Sequence, residues 1–451
     1  MSPPVNWLNV LGMTAFGLTF TLAGGALLLA QLNAKKQEAG LARKRQLYPQ
    51  SPWMWREDWS QGRVQSTTRT SMISMWVFAL IWNLVSSPIL IFVPHSNATT
   101  GAMAVAMLFP LVGLILLYQA VRLTIRWEKF GKTWFDLSTL PGVIGKELRG
   151  AIHVNFADVP EGGVQLKLSC VNRTVSGSGK KKSTSEKILW REEYTATGGQ
   201  IHGGPLGSVV PVAFKIPVDA IHTDTENPRN SVIWCLQADA QMPGVDYTDL
   251  FEVPVFRTKD SPTEAPEHAT AGPFASMVDE IPREKPLDTG IIVRPGESGG
   301  MEYDFSAARN IGAAFGTTIF FLIWTAVVWF IIYMKAPIFF VIVFGLFDLL
   351  FLVIVLLQWL GTSKVTIGNG EVRVQTGLLG IGPTRRVPFS EIAGISMPIG
   401  MQSGSRSGTP YYDIKLKLKN GRDVGLASAI RNKLEAEWLI ARMKTEIDLK
   451  S

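Results

Sequence analysis

The sequence predicts an integral membrane α-helical protein of about five spans that carries two β-rich domains, an antiparallel β-sandwich and a small β-barrel capped by a C-terminal helix. Three observations lead there. Apolar residues make up 47% of the 451 positions and charged residues only 18%, below the usual quarter in soluble proteins, and the mean hydropathy is positive. The apolar residues gather into stretches of roughly 20, the length that crosses a bilayer. Elsewhere apolar and polar residues alternate, the mark of half-buried strands.

Five stretches qualify as spans: 10–32, 72–94, 103–125, 311–333 and 338–360. The first, Val10 to Leu32, carries no charge, and residues 1–9 lack the basic region of a cleavable signal. It therefore reads as a retained helix. Basic residues set the orientation. Lys35, Lys36, Arg43, Lys44, Arg45, Arg56, Arg63 and Arg69 place the 33–71 loop in the cytoplasm. Pro94–Gly101 has no Lys or Arg and faces outward. Arg122, Arg126, Lys129 and Lys132 return the chain inside, Arg309 precedes the fourth span there, and Lys364 follows the fifth. Only Lys335, in the outer turn Met334–Pro337, departs from the pattern, and a lysine can snorkel. The expectation is an N-terminus outside and a C-terminus inside, with both soluble regions cytoplasmic.

The domain order follows. Residues 1–133 hold three helices and a Trp-rich loop (33–71), 134–256 the sandwich, 257–300 a linker, 301–360 two helices, and 361–451 the second β domain. Val164–Cys170, Ser231–Ala240 and Phe251–Phe256 read as strands, separated by Gly and Pro clusters at 141–142, 161–163, 203–205 and 243–244. Ser176–Ser183 is a basic hairpin tip, read mainly as a solvated loop. Scattered prolines among Glu, Asp and Lys make 257–300 a linker, and Glu302–Phe305 a short strand before the fourth span. In the last domain, Asn369-Gly370 and Asn420-Gly421 mark hairpins. A closing helix over 431–447 sets Leu434, Trp438, Ala441 and Met443 or Thr445 near one face.

Some of these blocks resemble known families. Pro141–Gly145, the Cys170 strand, Val210–Pro217, the Ile233-Trp234 strand ending at Pro243–Tyr247, and Phe251–Val255 resemble an arrestin-type β-sandwich in one lobe. That implies protein binding and no chemistry. Gly377–Gly380, Arg385–Phe389 and Ile392, with the final helix, resemble the bacterial pleckstrin-homology-like domain, which implies an assembly module; no phosphoinositide site carries over. The loop Tyr48–Trp59 and Ala307–Asn310 make the whole chain similar to a bacterial inner (cytoplasmic) membrane family of unknown function.

The net charge of +7 lies largely beside apolar segments, where it serves topology and anionic lipid rather than nucleic acid. Cys170 and Cys235 have no paired spacing and read as buried thiols. His95, His153, His202, His222 and His268 share no metal-ligand spacing, and no phosphate loop, dinucleotide fingerprint or nucleophile elbow occurs. No cofactor, metal or catalytic residue is expected.

Three features remain as sites. Trp53, Trp55, Arg56 and Trp59 form an interaction candidate, either an interfacial aromatic belt or a docking platform for the protein's own domains or a partner. Trp55 and Trp59, four apart, are expected on one helical face. Asp348, mid-span, should face the bundle and pair, with Asn83 or Gln119 as partner, or act in a relay. Gly312 and Gly316 form a G-x-x-x-G that favours close helix packing, within the chain or between copies. The residues together point to a membrane-anchored, non-enzymatic scaffold contacting lipids and unidentified protein partners. The alternative is a transporter or channel subunit that uses Asp348.

Overall fold

The computed structural model describes residues 40–92, 100–156, 158–177, 183–204, 207–262, 290–296, 300–404 and 408–447, with residues 17, 21, 25 and 36. The chain divides into two compact units, 1–270 and 271–451.

Among its described residues the first unit holds two long helices, α1 (Thr68–Phe92) and α2 (Thr100–Phe130), and eleven strands: β1 (Arg63–Gln65), β2 (Trp134–Leu137), β3 (Gly142–Val143), β4 (Glu147–Val154), β5 (Val164–Ser176), β6 (Ser183–Ala196), β7 (His202–Gly204), β8 (Gly207–Lys215), β9 (Asn230–Ala240), β10 (Tyr247–Val253) and β11 (Val255–Phe256). One sheet runs β1-β2-β4-β8-β7 and a second runs β10-β9-β5-β6. The two sheets share one core. Phe135, Leu148, Ile152 and Phe214 of the first meet Leu166, Leu168, Trp234, Leu236 and Phe251 of the second. The alternation read from sequence is the pleat of these strands. The expected Phe251–Phe256 strand divides at Pro254, which has no N–H for the ladder, and β11 leaves β10 to pair in parallel with β3.

The second unit holds α3 (Ile311–Tyr333), α4 (Ile338–Leu360) and α5 (Lys433–Glu446), with β12 (Ile291–Pro295), β13 (Met301–Phe305), β14 (Gly361–Gly368), β15 (Glu371–Leu378), β16 (Thr384–Pro388), β17 (Ile392–Ser396), β18 (Ile399–Ser403), β19 (Thr409–Leu418) and β20 (Asp423–Ile430). One sheet runs β12 to β16 in order; β17, β18 and β20 pair with β19 in another. Asn369 and Gly370 both take positive φ, as a two-residue hairpin turn requires. Asn432 caps α5 by accepting the Leu434 and Glu435 amides. The helix lays Ala436, Trp438, Leu439 and Met443 on the shared core. The expected Leu434 face is displaced: with the cap at Asn432, the inward stripe runs through Ala436, Leu439 and Met443, and Leu434 is exposed.

Among the described residues, four helices are long and apolar enough to cross a membrane, so membrane helices joined to antiparallel β-rich units is the class the chain displays. The expected span 10–32, apart from Gly17, Thr21 and Gly25, lies outside the described residues, as does the basic tip at Lys180–Lys182. α3 and α4 begin and end at the expected residues, whereas α2 runs on to Phe130. Its last turns hold part of the sandwich. Arg126 Nε donates to the Asp246 carbonyl at 3.1 Å and Lys129 Nζ to the Pro243 carbonyl at 2.7 Å, fastening the β9–β10 turn to the helix.

Both units place a helical hairpin between two paired strands. β1 and β2, on either side of α1 and α2, pair through Arg63↔Asp136, Val64↔Phe135 and Gln65↔Trp134. β13 and β14, on either side of α3 and α4, pair from Met301↔Ile367 to Phe305↔Ser363. Segments read as loop and linker thus supply β1 and β12, and the strand before α3 belongs to the second β unit.

Candidate functional site: a tryptophan-lined cleft

The Trp53–Trp59 block folds onto the sandwich of its own unit. A 3-10 turn over Pro52–Met54 leads through Arg56 into the one-turn helix Glu57–Ser60. Trp55 lies before that helix, so the expected shared helical face does not form. Trp59 is only 2% exposed; its indole donates to the Glu252 carbonyl at 2.8 Å, and its ring meets Phe256 edge-on at 6.2 Å. The Trp55 indole donates to the Tyr48 carbonyl at 2.9 Å beneath the Arg45 guanidinium, 4.9 Å from its ring.

Arg56 ties the block down. It bonds Asp58 and donates through Nη1 to Glu252 Oε2 at 2.8 Å, with its guanidinium 4.3 Å over Trp59. Burial works against its charge, but the bonds to Asp58 and Glu252 outweigh burial and raise its pKa. Arg173 extends the network to Glu252 at 3.5 Å and Glu186 at 2.9 Å.

Trp53 is placed differently. It is half-buried, packs on Phe256 with centroids 5.5 Å apart, and forms one wall of a cleft of about 960 Å³. Trp55, Pro52 and Phe256 add apolar wall, and Lys146, Glu147, Asp224, Glu226, Arg257 and Lys259 give the rim both signs of charge. Apolar walls with polar groups at the rim are the usual form of a binding cleft.

Beneath the α1–α2 hairpin, the Ser66, Thr68 and Thr133 hydroxyls all donate to the buried Asp249 carboxylate. Burial, together with this nearby carboxylate, raises the Tyr247 phenol well above its ordinary pKa. Asp249 was not among the sequence candidates, yet it left a signal. Tyr247, Asp249, Phe251 and Val253 are the inward positions of β10, and an acid among them requires donors. Glu252 and Phe256 carry no comparable signal, because an outward acid and an inward aromatic are ordinary in a strand.

The intramembrane candidates divide between the two hairpins. Asn83 donates to the Gly113 carbonyl across α1 and α2 at 2.9 Å and to Ala79 within α1 at 2.8 Å. Asp348 instead accepts from Thr325 Oγ1 across α3 and α4 at 2.7 Å. Each of the two thus has a partner inside its own hairpin, and Gln119 is exposed on α2. Gly312 and Gly316 lie away from the α3–α4 contact. Both are exposed, and a Cβ on either meets nothing within 4 Å among the described residues. α3 packs on α4 through other groups: Thr317 bonds Gln358 at 2.5 Å, and the Trp359 indole donates to Thr318 at 2.9 Å.

No family model and no curated protein matches this chain. Among solved structures it is similar to Spo0M, a sporulation control protein from Bacillus subtilis, over 56% of this chain and 88% of that one, at 12% identity and a TM-score of 0.20. Likeness at that level assigns neither fold nor function. The class rests on the chain itself: apolar helices that fit a membrane protein, joined to β-rich units.

Proposed function

We propose that this chain is a membrane-anchored, non-enzymatic scaffold whose sandwich receives a protein partner in the Trp53 cleft. The observation that carries the reading is a half-buried tryptophan set on Phe256 in a cleft with charges of both signs at its rim. Aromatic anchors of this kind dominate the energy of protein interfaces. In this reading the sandwich is arrestin-like and the second β unit pleckstrin-homology-like, and both work as interaction modules. The balance of basic residues around the spans supports a bacterial inner membrane with the N-terminus outside and both β units in the cytoplasm.

Trp53 and Trp59 separate the roles. Trp53→Ala should lower the yield of a co-purifying protein at least tenfold after affinity purification in mild detergent, with the thermal midpoint little changed. Trp59→Ala should lower the midpoint by an amount corresponding to about 3–5 kcal/mol, as truncation of a buried aromatic does. Recovery of the chain alone from wild-type cells, or undiminished partner recovery with Trp53→Ala, would count against the scaffold.

A further inference from the structure

A second cleft, of about 610 Å³, opens where the α3–α4 hairpin joins the second β unit. Ile354, Leu357 and Gln358 in the last two turns of α4 form one side. With α4 as a span, these turns lie where hydrocarbon gives way to headgroups. Arg309, just before α3, and Lys415 of β19 line the same cleft. Arg309 donates through Nη2 to the Ser428 carbonyl at 3.0 Å. Lys415 forms no ion pair among the described residues. The wall holds one acid, Asp413, whose Oδ1 accepts from the Ala429 amide at 3.1 Å; two cations against one acid leave the cleft net positive.

An independent feature marks the same boundary. The β15–β16 turn presents Leu379 and Ile381, which are 66% and 83% exposed. The turn is held against the end of α4: the Leu379 amide donates to the Leu360 carbonyl and the Gly380 amide to Thr362 Oγ1, each at 2.8 Å. Two large aliphatic side chains fixed beside the last turn of a span belong in an acyl environment, and the exposed Arg385 and Arg386 follow them on β16.

We propose that this cleft binds one anionic phospholipid, with its phosphate at Arg309 and Lys415 and its acyl chains along Ile354 and Leu357 of α4. The chemistry matches at both ends: cations for the headgroup and exposed aliphatic surface for the tails.

Native mass spectrometry of the full chain, purified with equimolar phosphatidylglycerol and phosphatidylcholine, tests this. The wild type should retain phosphatidylglycerol at least fivefold over phosphatidylcholine. Lys415→Gln should lower that retention about fivefold, the effect of one basic residue at a lipid surface. Its thermal midpoint in lipid-free detergent should stay unchanged, since the Lys415 side chain holds no structural bond. Arg422→Gln, on an exposed turn away from the cleft, should change nothing. Equal retention of the two lipids by the wild type would overturn the site, as would equal losses from Lys415→Gln and Arg422→Gln. If excess inorganic phosphate alone stabilised the wild type as much as phosphatidylglycerol does, and Lys415→Gln abolished both effects, the ligand would be a soluble phosphate and the lipid assignment would fall.

Discussion

Asp249 shows what a single side chain does here. Its carboxylate gathers hydroxyls from Ser66 and Thr68 at the entry to α1 and from Thr133 beyond α2, so one acid on β10 holds both feet of a hairpin. Asp249→Ala leaves the buried Thr133 hydroxyl without its acceptor. The expected cost is about 2–4 kcal/mol, since several charge-assisted bonds are lost together, read as a lower midpoint in detergent thermal unfolding. Glu302 in the second unit adds to acid sensitivity. Burial alone would raise its pKa, but Lys364 at 2.9 Å and Arg294 at 2.7 Å outweigh burial and hold it below the ordinary value. A carboxyl with a depressed folded pKa binds fewer protons than in the unfolded chain. Its contribution is therefore whole above about pH 4.3, the unfolded value, and is lost as pH falls through the folded one. Denaturant titrations from neutral to acid pH should show that slope in the wild type and a shallower one in Glu302→Gln, which should also lose about 1–2 kcal/mol at neutral pH.

The helices show how far sequence carries at the scale of an element. Continuous apolar runs made α3 and α4 legible to the residue, because nothing but a span needs 23 such positions. The partner of each polar residue was not legible: Asn83 and Asp348 look alike in a hydropathy pattern, and only the packing assigns one to Gly113 and the other to Thr325. β6 was missed for a different reason. Ser183–Ala196 is dense in Glu, Lys and Arg, and its strand character comes from pairing with β5 along its whole length. Of the candidate site, the Trp block was visible as an aromatic cluster, but Phe256, on which Trp53 rests, lies two hundred residues away. The α1–α2 contact can be tested directly. A Cβ on Gly113 would stand 2.5 Å from Asn83 Oδ1, so Gly113→Val should push the Asn83 amide aside and break its bond as well as crowd the contact. Asn83→Leu removes the bond without the clash and should cost less, about 0.6–1.7 kcal/mol. Unfolding in mixed micelles would rank the two, and equal losses would contradict this account of the contact.

Across the whole molecule one plan is used twice, an antiparallel strand pair with two helices spliced between its members. The splice has a testable corollary. Phe305 and Ser363 face each other across β13 and β14, at the spacing a two-residue turn closes. A chain starting near residue 290, with residues 306–362 replaced by Asn-Gly, should yield a water-soluble β unit with a cooperative thermal transition. Circular dichroism showing no such transition would mean that the hairpin contributes to the core as well as interrupting it. The same splice governs how the protein is made. A ribosome releases β13 before the hydrophobic hairpin and β14 only after it, as it releases β1 before α1 and β2 after α2. The β13–β14 pair inside the second sheet and the β1–β2 pair at the edge of the first can each form only after both helices between their strands have emerged. A nascent chain stalled between α3 and α4 would carry β13 with its β14 edge open, exposed to chaperones and proteases, so closure of the second sheet reports that the hairpin within it is complete.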